Sequence, residues 1–195
     1  MALTKDYIVE KSVEILNRDG VDGLTMRLLA KELNIKAASL YWHFRSKAEL
    51  YAAISEMQCG KIIIPVETSH RIFLSDVFSQ FRQILLGVRD SVYVFENSAP
   101  FTPKRLEIIR AVSNVLLLLG VKTENLVTVS NLFNNYVLSF VADEYRFKEI
   151  TGEGIKKFAE TLSPQDRLLF AIPQDFDRQF EYGLKLLFEG LEQVK

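Results

Sequence analysis

Residues 38–44 read ASLYWHF, and their aromatic and hydroxyl side chains could contact nucleic acid. On a helix with about 100° between residues, Leu40 and Phe44 share one face. The opposite face and its flanks carry Ala38, Ser39, Tyr41, Trp42 and His43. An indole ring that points outward from a small helix needs a partner, so we expect this face to bind one.

The residues before this segment predict a helix, a break and a second helix. Thr25 can cap a first helix that runs through Leu33, and Asn34 can adopt the left-handed turn conformation. Ile35 then fills the corner, and the second helix begins near Ala37. Residues 25–44 therefore predict a helix-turn-helix motif, whose second helix would enter the major groove of DNA.

Basic residues are concentrated around this motif. Residues 24–47 contain five basic side chains against Glu32 alone, in a chain of formal net charge -1. Ser46 and Glu49 form a capping box that begins another helix and places Lys47 in its first turn, where the helix dipole disfavours a cation. A DNA phosphate at that helix terminus would favour Lys47. The alternative is a solvated basic face, but the turn, the outward aromatic and the capped helix occur together here.

Residues 23–50, GLTMRLLAKELNIKAASLYWHFRSKAEL, resemble the DNA-binding domain of the TetR family of bacterial transcriptional regulators, and LYWH is similar to the tetracycline repressors. The resemblance implies that Arg27 and Ala37 reach base edges and that Ala38 and Trp42 contact the groove. It implies phosphate contacts by Thr25, Ser39, Tyr41, His43 and Lys47. Ala37 and Ala38 replace a glutamine and a proline, so a bidentate contact to adenine is lost and we expect a different operator.

Composition limits the remaining classes of function. The 195 residues, 48% of them hydrophobic, suit a globular protein of one or two small domains. Cys59 is the single cysteine, which excludes an internal disulfide or a cysteine-based zinc site and suits a reducing cytoplasm. We expect no signal peptide, no membrane span and no enzyme, because no catalytic motif is present. Asp143 and Glu144 are interpreted as a solvated helix end.

Helical periodicity extends along the whole chain and predicts an all-α fold. Thr4 caps a first helix that ends at Gly20, so residues 1–46 form a three-helix DNA-binding domain. A connecting helix covers residues 47–60, and a larger helical domain for ligand binding and dimerisation covers residues 61–195. In it we expect helices at residues 73–89, 90–95, 102–119, 123–147 and 174–194, with shorter pieces at 154–162 and 165–170.

Two of these helices, at residues 123–147 and 174–194, carry broad apolar stripes. The stripes contain Leu126, Val129, Phe133, Tyr136, Val137, Phe140 and Val141, and Phe176, Phe180, Leu184, Leu187, Phe188 and Leu191. We expect part of this surface to form a four-helix bundle in a homodimer, as the resemblance also implies. The alternative is that both stripes are internal core.

Aromatic residues in the middle of the chain could line a cavity for a mostly apolar ligand. The candidate ligand-binding residues are Phe78, Phe81, Phe95, Ser98, Asn131 and Asn135. An ordinary aromatic core is the alternative. Residues 70–193 also resemble, more loosely, the C-terminal domain of tetracycline repressors.

The resemblance places Phe95 where those repressors have the histidine that ligates drug-bound magnesium, and Val77 where an asparagine holds the drug. It also implies that Phe81, Ser98 and Asp143 keep a pocket aromatic, a hydroxyl and a carboxylate. Because a phenyl ring cannot coordinate a metal, we expect no metal cofactor and an effector other than tetracycline.

The sequence thus predicts a cytoplasmic, ligand-responsive regulator that binds a palindromic operator in double-stranded DNA as a homodimer. Repression is what the resemblance implies, whereas release by a small and mostly apolar effector is predicted from the aromatic residues and from Phe95. The alternative is a helical dimer that binds small molecules or proteins and has lost specific DNA recognition, as the alanines at positions 37 and 38 would suggest.

Overall fold

A computed structural model of the chain describes residues 3–66, 68–150, 160–169 and 175–193. These residues form α-helices and one 3-10 turn, Thr123–Asn125, with no strand among them. They divide into two compact units, Met1–Leu119 and Gly120–Lys195. The helices are α1 Lys5–Gly23, α2 Met26–Glu32, α3 Ala37–His43, α4 Lys47–Cys59, α5 His70–Leu86, α6 Ser91–Glu96, α7 Pro103–Leu118, α8 Leu126–Ile150, α9 Pro164–Leu169 and α10 Phe176–Gln193.

The caps expected from the sequence are present in the first unit. Thr4 Oγ1 accepts the N–H of Tyr7 at 3.2 Å, and Thr25 Oγ1 accepts the N–H of Leu28 at 3.1 Å. Gly20 interrupts α1 with φ 72° and ψ -175°, so the break expected there is confirmed, although one more turn follows it. Local side-chain chemistry therefore determines where α1 and α2 begin.

The core of the first unit contains side chains from the first four helices, α1, α2, α3 and α4, and from the residues that follow α5. Ile8, Leu16, Leu29, Leu40, Phe44 and Ile54 are buried together with Val88 and Val94. Helix α4 packs against α1 on one side and against α5, α6 and α7 on the others. Because α4 contacts α1 as well as α5, α6 and α7, a displacement of α4 would change packing contacts with all of these helices.

The second unit is built on contacts between α8 and α10. The ring centroids of Phe133 and Phe188 are 5.3 Å apart, and Tyr136 stacks on Phe180 at 5.4 Å. The Tyr136 hydroxyl donates to the carbonyl of Phe180 at 2.9 Å. These contacts place much of both predicted apolar stripes in internal core. Among the described side chains of the two helices, the large apolar ones left exposed are Val127, Leu132, Tyr182 and Leu186.

One interpretation of α8 was wrong. Glu144 is not at a solvated helix end, because α8 continues to Ile150 and Glu144 is only 4% exposed, paired with Lys148 at 2.9 Å. Asp143 is exposed and pairs with Arg146. The helix expected at residues 154–162 lies mostly outside the described residues. No helix in the described parts of the chain is long and apolar enough to cross a membrane.

Candidate DNA-binding site and effector region

Helix α3 has two faces of opposite character, as expected. Leu40 and Phe44 are buried, whereas Trp42 is 89% exposed and Tyr41 is 49% exposed. Ala37 and Ala38 are exposed on the same helix, and Ser39 and His43 are half-buried. The exposed face of α3, defined by residues 37, 38, 41 and 42, combines small side chains with two aromatic rings, which suits entry into a major groove.

The turn between α2 and α3 fixes the direction of that face. Asn34 adopts φ 53°, so the expected left-handed position is confirmed. The N–H of Ile35 donates to the carbonyl of Ala30 at 3.0 Å, and the N–H of Asn34 donates to the carbonyl of Lys31 at 3.0 Å. These bonds close the end of α2, and the burial of Leu40 in the core of the first unit holds α3 against α2.

The positive charge around α3 is largely uncompensated. Arg27, Lys31, Lys36 and Arg45 are exposed, and none of them forms an ion pair with another residue in the described part of the chain. Glu32, the acidic residue within the motif, is held by Arg18 at 3.0 Å. The arrangement leaves four cations free to meet phosphates.

The start of α4 differs in detail from the expected capping box. Ser46 Oγ accepts the N–H of Glu49 at 3.1 Å, but the Glu49 carboxylate accepts the N–H of Arg45, at 2.7 Å, instead of that of Ser46. Lys47 donates to the carbonyl of Val21 at 3.3 Å, and its ammonium lies 5.3 Å from the Tyr51 ring centroid. Lys47 thus already links α4 to α1, and its phosphate contact stays a prediction.

A joint that the sequence did not suggest connects α1 to the corner before α6. The Asp90 carboxylate accepts the N–H of Val21 at 2.7 Å, and the N–H of Arg89 donates to Asn17 Oδ1 at 3.0 Å. Asp90 itself has φ 57°. The available signals were Gly20 and the Arg89–Asp90 pair before a helix, but nothing local in the sequence shows that residues 69 positions apart meet.

Four of the six candidate ligand-binding residues belong to the first unit. Phe78, Phe81 and Phe95 are buried and Ser98 is half-buried. The rings of Phe81 and Phe95 meet edge to face at 5.2 Å between centroids. Asn131 and Asn135 belong to the second unit, on the exposed face of α8.

A polar cluster adjoins the aromatic pair and was missed from the sequence. Arg105 Nη1 donates to Ser98 Oγ at 2.7 Å, and the guanidinium lies 4.8 Å from the Phe95 ring centroid. Ser55, on α4, is 3.2 Å from Ser98 Oγ. Desolvation lowers the pKa of Arg105. Neither Ser55 nor Arg105 lies in a recognisable motif, so a sequence signal was lacking.

Two buried groups on α4 have altered acidity. Burial raises the pKa of the Cys59 thiol to about 12 and that of the Tyr51 phenol to about 12. A thiol with so high a pKa is a poor nucleophile and a poor metal ligand. Among the described residues, no group of three or more His, Cys, Asp or Glu side chains could hold a metal ion.

The second helix of a helix-turn-helix exposes an aromatic face, and further helices follow it. This arrangement is typical of the class of helix-turn-helix DNA-binding proteins. Residues 8–54 match the model of bacterial regulatory proteins of the tetR family, and residues 66–195 match that of the tetracyclin repressor-like C-terminal domain. The chain belongs to the TetR family. It is thereby a ligand-responsive, DNA-binding transcriptional repressor, in a family whose members bind operator DNA as dimers.

Similarity to individual known proteins covers nearly the whole chain. The tetracycline repressor protein class A from transposon 1721 of Escherichia coli is 28% identical, over 97% of this chain and 90% of that protein. An HTH-type transcriptional regulator of Saccharopolyspora erythraea is 31% identical, over 97% of this chain and 84% of that protein. The crystal structure of Mycobacterium smegmatis BioQ has a TM-score of 0.82 and 25% identity, with complete coverage of both chains.

Proposed function

We propose that the exposed face of α3 reads a palindromic operator whose sequence differs from the tetracycline operators. The observation that carries this proposal is the 89% exposure of Trp42 beside uncompensated cations. Phosphate contacts are assigned to Thr25, Ser39, Tyr41, His43 and Lys47, and base or groove contacts to Arg27, Ala37, Ala38 and Trp42. Alanine offers a base only apolar contact, for example with a thymine methyl group.

We assign DNA binding to residues 1–46, connection to residues 47–60, and effector binding with dimerisation to residues 61–195. Action on DNA places the protein in the cytoplasm, and no catalytic step is needed for this role. The dimer would use the exposed apolar side chains of α8 and α10. Recognition of a palindrome requires two copies of α3 about 34–36 Å apart. Two such helices read the two halves of one palindrome.

The effector is proposed to act through α4. This helix contacts α1 through its packing and through Lys47. Ser55 ties it to Ser98 in the segment after α6, and the Glu56 carboxylate ties it to α7 by accepting the N–H of Lys104 at 2.8 Å. A ligand near Phe81 and Phe95 that tilts α4 would change the separation of the two α3 helices. By linkage, operator DNA must then weaken effector binding by the same factor.

Tetracycline bound through magnesium is not the proposed effector. Val77 and Phe95 are buried and their side chains carry no polar atom, so neither side chain offers the drug or its metal a ligand. The effector is instead a mostly apolar molecule, with Phe78, Phe81, Phe95 and Ser98 of the first unit as candidate contacts. Asn131 and Asn135, which belong to the second unit, stay separate candidates. Isothermal titration with tetracycline, with and without magnesium, tests this. Tight magnesium-dependent binding would overturn it.

The direct test of DNA recognition is selection from random duplexes at near-physiological salt, followed by sequencing of the retained DNA. We expect a palindromic consensus, bound by two protein chains. Weak, salt-sensitive binding without enrichment would favour the alternative, a helical dimer for small molecules or proteins, which the alanines at positions 37 and 38 could indicate.

A further inference from the structure

The guanidinium of Arg105 is a partly buried cation with spare hydrogen-bond donors. It donates one hydrogen bond to Ser98 Oγ, at 2.7 Å, and stacks against the Phe95 ring. Arginine has five N–H donors. Within the residues described here, no carboxylate lies at ion-pair distance from Arg105. A desolvated cation without an anion is costly, so an anionic partner would stabilise it.

The Glu56 carboxylate interacts electrostatically with Arg105, but its hydrogen bonds are made to another group. Both oxygens of Glu56 accept the backbone N–H of Lys104, at 2.8 and 3.0 Å, at the start of α7. Glu56 thus satisfies a free N–H at the N-terminus of α7 and does not pair with the guanidinium. Arg105 also lies in the first turn of α7, where the helix dipole favours an anion over a cation.

Neighbouring hydroxyl groups add polar contacts at the same place. Ser98 donates its single hydrogen to the carbonyl of Phe95 at 3.0 Å, so it accepts from both Ser55 and Arg105. Thr102, the N-cap residue of α7, makes no capping bond, and its buried Oγ1 has no hydrogen-bond partner in the structure. That hydroxyl could donate to an anion beside the same helix turn.

We propose that Arg105 binds the anionic group of the effector, so that the effector is an organic acid with an apolar body and one acidic group. The apolar body would lie against the Phe81 and Phe95 rings, and the acid would take the spare donors of Arg105. The inference rests on the proposed effector region and names the chemical class that this region takes. Because Ser98 joins Arg105 to Ser55 on α4, the acidic group would bind at the link between α4 and α7.

Two dyes of the same ring system test this inference on the full-length chain. 1-Anilinonaphthalene-8-sulfonate carries an acidic group, and N-phenyl-1-naphthylamine lacks it. We expect saturable binding of the sulfonate dye with higher affinity than the neutral dye. Arg105→Gln should weaken the sulfonate dye about 10- to 100-fold, the range for a lost charged hydrogen bond, and leave the neutral dye unchanged. Arg105→Lys should retain part of the difference.

Arg110→Gln is the matched control, because Arg110 is an exposed arginine on the same helix. It should leave both affinities unchanged. The inference is overturned if wild-type protein shows no saturable binding of the sulfonate dye or no preference for it. It is equally overturned if Arg105→Gln weakens both dyes alike or neither. Operator selection distinguishes failure of this inference from failure of the proposed function. If only the role of Arg105 is wrong, both the wild type and Arg105→Gln should still enrich a palindrome. If the proposed function is wrong, the wild type should enrich none.

Discussion

At the scale of single residues, Gly20 has a backbone conformation that residues with a Cβ atom rarely adopt. Its φ of 72° and ψ of -175° lie in a region open almost only to glycine, and an added Cβ would meet Asp90 Oδ2 at 2.8 Å. This oxygen accepts the N–H of Val21, so the clash would fall on the joint between α1 and the corner before α6.

Gly20→Ala should therefore lower the free energy of unfolding by about 1–3 kcal/mol, the range for a strained backbone conformation. Urea unfolding followed by circular dichroism measures this. Gly190→Ala is the control, because a Cβ there meets nothing within 4 Å and Gly190 lies in a helix, where alanine is favoured by about 0.5–1 kcal/mol. Equal effects of the two substitutions would show that the Gly20 conformation is not required.

The Cys59 thiol provides a second prediction, which concerns alkaline pH. Burial raises the pKa of this thiol to about 12 in the folded chain, whereas an unperturbed thiol has a pKa of about 8.5. The unfolded chain thus loses this proton first as pH rises. The stabilisation by the neutral thiol is complete below about pH 8.5 and is lost progressively above it, by at most about 1.4 kcal/mol per pH unit.

Unfolding free energies measured from pH 7 to pH 10.5 should show this decline. Cys59→Ala removes the titrating group, so its decline should begin only near pH 10, where an unperturbed Tyr51 would ionise. The same burial should make Cys59 slow to react with a thiol reagent at pH 8 until urea is added. Identical pH profiles for the variant and the wild type would contradict the assignment.

At the scale of elements, we expect the buried face of α3 to determine stability and its exposed face to determine DNA recognition. Trp42→Ala should leave the melting temperature within about 2 °C of the wild type, because a highly exposed side chain contributes little to stability. It should weaken operator binding by at least about tenfold, since an interface aromatic carries much of the binding energy. Leu40→Ala should instead lower stability by about 2–5 kcal/mol.

Fluorescence anisotropy with the selected operator and thermal unfolding together decide this point. If Trp42→Ala binds the operator as well as the wild type does, the exposed indole is not a contact. Ala37→Gln should keep the stability and the affinity for DNA in general but change the preferred sequence, because glutamine can bind adenine through two hydrogen bonds.

The elements also show which features can be predicted from sequence. The starts of α1, α2 and α4 were predictable because Thr4, Thr25 and Ser46 act on N–H groups only three residues away. Helix α5 begins at His70, earlier than expected, because Ser69 caps it and its polar first turn hides the periodicity. Likewise, the outward face of α3 followed from the spacing of Leu40 and Phe44.

Contacts between distant segments could not be predicted in this way. The contact of Asp90 with Val21 and that of Arg105 with Ser98 depend on how helices pack in three dimensions. Sequence periodicity indicates only that one face of a helix is buried. For the same reason, the stripes of α8 and α10 indicated apolar surface without showing that much of it packs within one chain. The exposed remainder, which includes Leu132 and Leu186, had to be read from the structure.

At the scale of the whole molecule, operator binding requires two chains, and the exposed apolar side chains of the second unit are where we expect them to meet. Leu186→Glu should give monomers at micromolar concentration, because a buried unpaired carboxylate costs several kcal/mol. A monomer reads only one half-site, so operator affinity should fall by at least about 100-fold. Gln193→Glu, an exposed change near the end of the same helix, is the control. Light scattering after gel filtration measures the mass, and a Leu186→Glu protein that stays dimeric would place the interface elsewhere.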